Sequence, residues 1–63
     1  MWFKRGTSYA WLEHGYCIYF NPVGEFRTAV DISVSWLLDC GWINCKDIHV
    51  PQKYLNYIKE NIT

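Results

Sequence analysis

Charge of one sign is missing from this sequence: six Lys and Arg are matched by six Asp and Glu, leaving a formal net charge of zero. Gripping nucleic acid by bulk attraction to its phosphates calls for a marked basic excess, so that class is disfavoured at once. Long apolar runs are missing too. The longest, Tyr16 to Phe20, is far short of the roughly 20 residues that span a bilayer as a helix, so no membrane role is expected. Met1 to Arg5 sets apolar residues ahead of its basic pair with no apolar stretch after them, unlike a secretory leader. Cysteine is sparse and odd in number. Cys17, Cys40 and Cys45 are too few to staple a miniprotein of this size, which points to a reduced, cytoplasmic setting. The glycines are scattered, and no Gly-rich phosphate loop occurs.

What is abundant is aromatic. Four Trp, five Tyr and three Phe, twelve in all, sit in a chain of 63 residues that is 51% apolar. That composition excludes a disordered tail and leaves room for one compact domain over residues 1–63. Size scaling gives about 4,200 Å² of folded surface against about 10,900 Å² unfolded, so about 60% becomes buried. A domain this small has a thin stability margin, and it must pack aromatics densely or lean on a partner.

The pattern of the chain reads as α+β. Trp2 to Arg5 suits a short first strand closed by Gly6-Thr7-Ser8. Tyr9 to Glu13 and Tyr16 to Phe20 flank His14-Gly15, a two-residue hairpin loop in which Gly15 supplies positive φ. That loop sets Tyr9 opposite Phe20, Trp11 opposite Ile18 and Glu13 opposite Tyr16. Asn21-Pro22-Val23-Gly24 suits a type I turn with Gly24 as a bulge, which sets Phe26 opposite Phe20, Thr28 opposite Ile18 and Val30 opposite Tyr16. One sheet face then carries Tyr9, Trp11, Tyr16, Ile18, Phe20, Phe26, Thr28 and Val30, and is read as the core. The other carries Ala10, Leu12, Cys17, Tyr19, Arg27, Ala29 and Asp31, less polar than a solvated face of a meander should be, so a cover over part of it is expected. Trp2-Phe3, the 33–45 segment or another molecule, including a second copy in a homodimer, are the candidates.

Ile32, Val34, Trp36 and Leu38 alternate and would extend the third strand, but that strand would be overlong. A short helix over 33–40 is favoured, with Ser33 as N-cap and Gly41 past its end. It would bury Val34, Leu37 and Leu38 and turn Trp36 outward, and Trp42 to Cys45 would return as a short strand. A C-terminal helix begins with Pro51 at its first position and repeats Tyr54, Leu55, Ile58 and Ile62 on one face. The expected architecture is a three- to four-stranded antiparallel meander packed against that helix.

Chemistry is thinly supplied. Cys40, Cys45 and His49 are spaced C-x4-C-x3-H, and His14 and Cys17 stand in the hairpin, so a zinc-stabilised domain is one alternative. Yet no C-x2-C knuckle occurs, and free Cys is a common small core residue. A nucleophilic Cys–His pair needs a third group to orient the imidazole, and none is evident. Asp31, Asp39 and Asp47 are scattered, as caps and solvated charges are, so neither enzyme activity nor a cofactor is expected. Aromatic strands beside Lys4, Arg5 and Arg27 would suit a single-stranded nucleic-acid platform, the second alternative, although most of those rings belong to the core.

Protein binding remains. Trp, Tyr and Arg dominate interface hot spots, and Trp2, Phe3, Tyr19, Trp36, Trp42 and Tyr57 are hard to hide together in so small a core. With Arg5 and Lys53 they form the expected partner-binding set. The function expected is a non-enzymatic inhibitor or adaptor acting through exposed aromatics. Phages and mobile elements encode compact proteins of this kind, an analogy from architecture.

Overall fold

Strand pairing accounts for most of the molecule. The structure is a computed structural model and describes residues 1–46 and 49–61. Asp47 and Ile62, both weighed above, lie outside the described residues. Five strands, β1 (Trp2–Arg5), β2 (Ser8–Glu13), β3 (Tyr16–Phe20), β4 (Phe26–Ala29) and β5 (Ile43–Asn44), form one sheet in the order β4-β3-β2-β1-β5. Two helices complete it: α1 (Val34–Asp39) and α2 (Gln52–Asn61). The fold is a small α+β domain with a meander packed on a C-terminal helix. Both marginal strands form, β1 against β2 and β5 against β1, which gives one strand more than the meander counted from sequence.

The turns fix the register. His14 and Gly15 both adopt positive φ, 50° and 81°, the pattern of a type I′ turn whose twist suits a hairpin. It sets Tyr9, Trp11 and Glu13 opposite Phe20, Ile18 and Tyr16, as expected. In the next turn Asn21 Oδ1 accepts the main-chain N–H groups of Val23 (3.2 Å) and Glu25 (3.0 Å). Gly24 stands at φ 86°, and Phe26 falls opposite Phe20.

Alternation along these strands sends two apolar sets to opposite sides. Tyr9, Trp11, Ile18 and Phe20 meet Val50, Tyr54 and Ile58 on the α2 side. Phe3, Ala10, Leu12 and Cys17 meet Leu37 and Trp42 on the α1 side. The sheet is therefore the middle layer between two thin cores. Its accessible surface of 4,331 Å² is close to the scaling value, and its radius of gyration of 10.8 Å matches the ~10.6 Å of a compact chain this long.

Helix α1 forms where its caps say it should. Ser33 Oγ accepts the Trp36 N–H at 3.1 Å. At the other end Gly41 takes φ 91°, Gly41 N–H donates to Leu38 O (3.1 Å) and Trp42 N–H to Leu37 O (3.0 Å). That double bond pattern is a Schellman closure, and the accompanying contact between Leu37 and Trp42 lies inside the second core. Helix α2 starts one residue later than expected. The Pro51 carbonyl accepts from Tyr54 N (3.0 Å) and Leu55 N (3.4 Å), so Pro51 caps the helix.

Several side chains expected inside are outside. Tyr16 and Phe26 share the α2 face but are exposed, as is Thr28, because α2, about 15 Å long at 1.5 Å per residue, packs mainly over Tyr9, Trp11 and Phe20. Val30 lies beyond β4, which ends at Ala29, and is exposed as well. Of the α1 residues expected to be buried, only Leu37 is; Val34 and Leu38 project outward. The reverse correction concerns Phe3 and Trp42. Both were assigned to the exposed surplus, yet they are 0% and 4% accessible, since the second sheet face builds a core of its own. Most of the cover for that face comes from the chain itself, through α1 and Trp42, which removes the reason to place a second copy there.

Candidate partner-binding groove

Where α1 stops short of the β4 edge, the covered face opens into a groove of about 490 Å³. Cross-strand register explains who lines it. Tyr19 pairs with Arg27, and Arg5 pairs with Ser8, so these four side chains point to the α1 side. Trp42 and Trp36, the latter 49% exposed, line the groove together with Ala29 of β4 and Ile32. Trp36 is outward because Ser33 caps α1 in the phase that buries Leu37.

Arg5 is held in place. Its Nη1 donates to the Cys40 carbonyl at 3.0 Å, and its guanidinium lies 4.6 Å from the Trp42 ring centroid. The same Trp42 ring meets Tyr19 at 5.7 Å. Burial pushes the Tyr19 phenol up to about 12, helped by a hydrogen bond with Cys17 and by the charges of Cys17 and Cys40, with Arg5 opposing. Tyr19 is thus a neutral hydroxyl at any physiological pH. Arg27, by contrast, makes no side-chain bond among the described residues and is exposed. Glu25 also lines the groove and accepts from Asn21 Nδ2 at 3.3 Å.

Arg5, Tyr19, Trp36 and Trp42 are four of the eight residues expected to bind a partner, and the fold gathers them in one place. The others are elsewhere. Phe3 is wholly buried. Trp2 is half-buried on the α2 side, stacked on Phe20 at 5.8 Å. Tyr57 is half-buried between Phe20 and Phe26, at 5.5 and 5.0 Å. Lys53 Nζ lies 5.1 Å from the Tyr54 ring. Tyr57 and Lys53 belong to a second, smaller hollow of about 260 Å³ on the α2 side, bounded by Phe26 and Gly24. Arg27 was missed as a site residue. Its signal was present in the alternation that puts it beside Tyr19.

The candidate metal ligands part company. Cys45 packs with the α2-side core and Cys40 with the α1-side core, so the sheet lies between them. Among the described residues no cluster of three or more His, Cys, Asp or Glu side chains is placed to hold a metal ion. Burial raises the Cys17 and Cys45 thiols, against a Tyr19 hydrogen bond and a nearby Lys4 respectively, which keeps both in the unreactive thiol form. Among the described residues no helix is long and apolar enough to cross a membrane. Compared with protein-family models, curated proteins and solved structures, the chain matches none.

Proposed function

We propose that this chain is a non-enzymatic protein-binding module, an inhibitor or adaptor that covers or bridges another protein through the α1-side groove. The observation that carries the reading is the convergence of Arg5, Tyr19, Arg27, Trp36 and Trp42 on one concavity. Arg, Trp and Tyr are the residues whose removal costs most at interfaces, above all when they ring a pocket that a partner can dry. Rigidity favours the same reading. Tyr19, Trp42 and Arg5 brace one another, so little side-chain freedom is lost when a partner arrives. The zero net charge means little long-range steering, so shape and apolar contact carry recognition and charge acts only locally, at the arginines of the groove. A single-stranded nucleic-acid platform fits less well. The sheet aromatics that would stack bases are stacked on each other, Phe20 with Trp2 and Tyr54.

The test is capture from a lysate by the wild-type chain and by two folded variants in parallel. Trp36→Ala is expected to lose the captured protein, and Lys46→Ala, on the exposed loop after β5, to keep it. Equal capture by both variants overturns the reading.

A further inference from the structure

The groove and the second hollow lie on opposite faces of the sheet, yet both are bounded by β4, and Phe26 lines each of them. β4 is also an edge: β3 pairs with one side and no described strand with the other. Which main-chain groups it leaves open follows from the turn. Asn21 N–H donates to Glu25 O at 3.1 Å, so Asn21–Glu25 is a hydrogen-bonded pair. Antiparallel ladders alternate bonded and non-bonded pairs. Tyr19–Arg27 and Cys17–Ala29 are then bonded, while Phe26 and Thr28, opposite Phe20 and Ile18, aim N–H and C=O away from the sheet. No Pro or Lys blunts this edge, and its one charge, Arg27, turns into the groove where a bound segment can reach it.

We infer that β4 accepts an extended, acidic segment of the partner protein as a sixth strand, its alternate side chains dropping into the two flanking hollows. A strand sends successive side chains to opposite faces, so an added strand addresses both hollows at once. Those entering the α1-side groove meet Arg27 and Trp36. Those on the α2 side meet Phe26, Tyr57 and Lys53. Arg27 and Lys53 against Glu25 leave the part of the two hollows beside β4 positive on a chain of zero net charge, which selects glutamate or aspartate flanking apolar residues. The same charges disfavour a second copy, whose own β4 would bring another Arg27 to the edge. This inference rests on the proposed protein-binding role and adds the geometry of the bound segment.

The probe is a synthetic peptide of about eight residues, long enough to pair along one edge strand, alternating glutamate with valine and phenylalanine. A lysine-for-glutamate version and a version N-methylated on one edge are the controls. Amide hydrogen exchange and backbone chemical shifts of the 15N-labelled full chain give the readout. Binding is expected to slow exchange at Thr28 and Phe26 while Thr7 is unchanged. The N-methylated peptide is expected to bind about tenfold more weakly for the bonds it cannot make. Arg27→Glu, a change at an exposed position, is expected to weaken the acidic peptide by a similar factor and to improve the lysine peptide. Failure of the acidic peptide to bind at millimolar concentration, or equal binding of the lysine peptide, overturns the inference. So does slowed Thr28 exchange that grows with protein concentration in the absence of peptide, which would mean self-pairing. A peptide that perturbs Trp36 but leaves Phe26 and Thr28 exchange unchanged overturns strand addition while leaving the groove reading intact.

Discussion

Two tryptophans six residues apart, Trp42 and Trp36, should respond very differently to truncation. Trp42 is 4% accessible and closes the second core: it follows the Gly41 turn, meets Leu37 across the Schellman closure, and carries Tyr19 and Arg5 on its ring. Replacing a buried Trp by Ala typically costs about 3–5 kcal/mol. At roughly 0.05–0.15 kcal/mol per residue a chain this size holds only about 3–9 kcal/mol in all. Trp42→Ala should therefore forfeit a large share of the chain's stability, about 3–5 kcal/mol. Trp36 is 49% exposed. Full burial of a large apolar side chain contributes about 1.5–3 kcal/mol, so half of that, less the better helix propensity of Ala, leaves a loss of about 1 kcal/mol. In a domain this small that loss lowers the melting midpoint by about 4–8 °C. Urea titration followed by far-UV circular dichroism measures both. Equal losses for the two variants, or a loss below about 1 kcal/mol for Trp42→Ala, would refute the assignment of one ring to the core and the other to the groove.

Gly41→Ala should destabilise by about 1 kcal/mol, because φ 91° is costly for any side chain while the new Cβ would meet only the Arg5 Cδ at an ordinary 3.7 Å. A neutral result in thermal melts would contradict the closure of α1. Tyr19 should ionise near pH 12, above the ~10 of an unfolded tyrosine. Its contribution to stability is therefore complete below about pH 10 and lost as pH rises toward 12. Absorbance at alkaline pH should show this late phenol, and Tyr19→Phe should remove it. Cys17, wholly buried on the α1 side, should react with a thiol reagent only as fast as the chain unfolds, after the half-buried Cys40 and Cys45. Prompt modification of all three thiols would place Cys17 at the surface.

Local signals carried the strands, turns and caps. His14-Gly15 and Asn21 to Gly24 set pairings that hold residue by residue through β2, β3 and β4, because turn chemistry and period-2 alternation are written in near neighbours. Ser33 and Gly41 bounded α1 for the same reason. What sequence could not supply was coverage. Whether Tyr16 and Phe26 are buried depends on how far a ten-residue α2 reaches over the sheet, and whether Phe3 and Trp42 are buried depends on α1 folding back over the second face. Both are long-range facts with no local mark. The site followed the same division. Arg5, Tyr19 and Trp36 were legible as surplus aromatic and cationic residues, but their meeting with Arg27 beside an open strand edge required the assembled sheet.

The central claim is that a partner protein contacts the α1-side groove. A photo-crosslinking amino acid placed at position 36, and in a separate sample at the exposed hairpin tip at position 14, tests it most directly in the presence of the captured partner. Crosslinks from position 36 with none from position 14 are the result the account predicts. Crosslinks from position 14 with none from position 36 would contradict it.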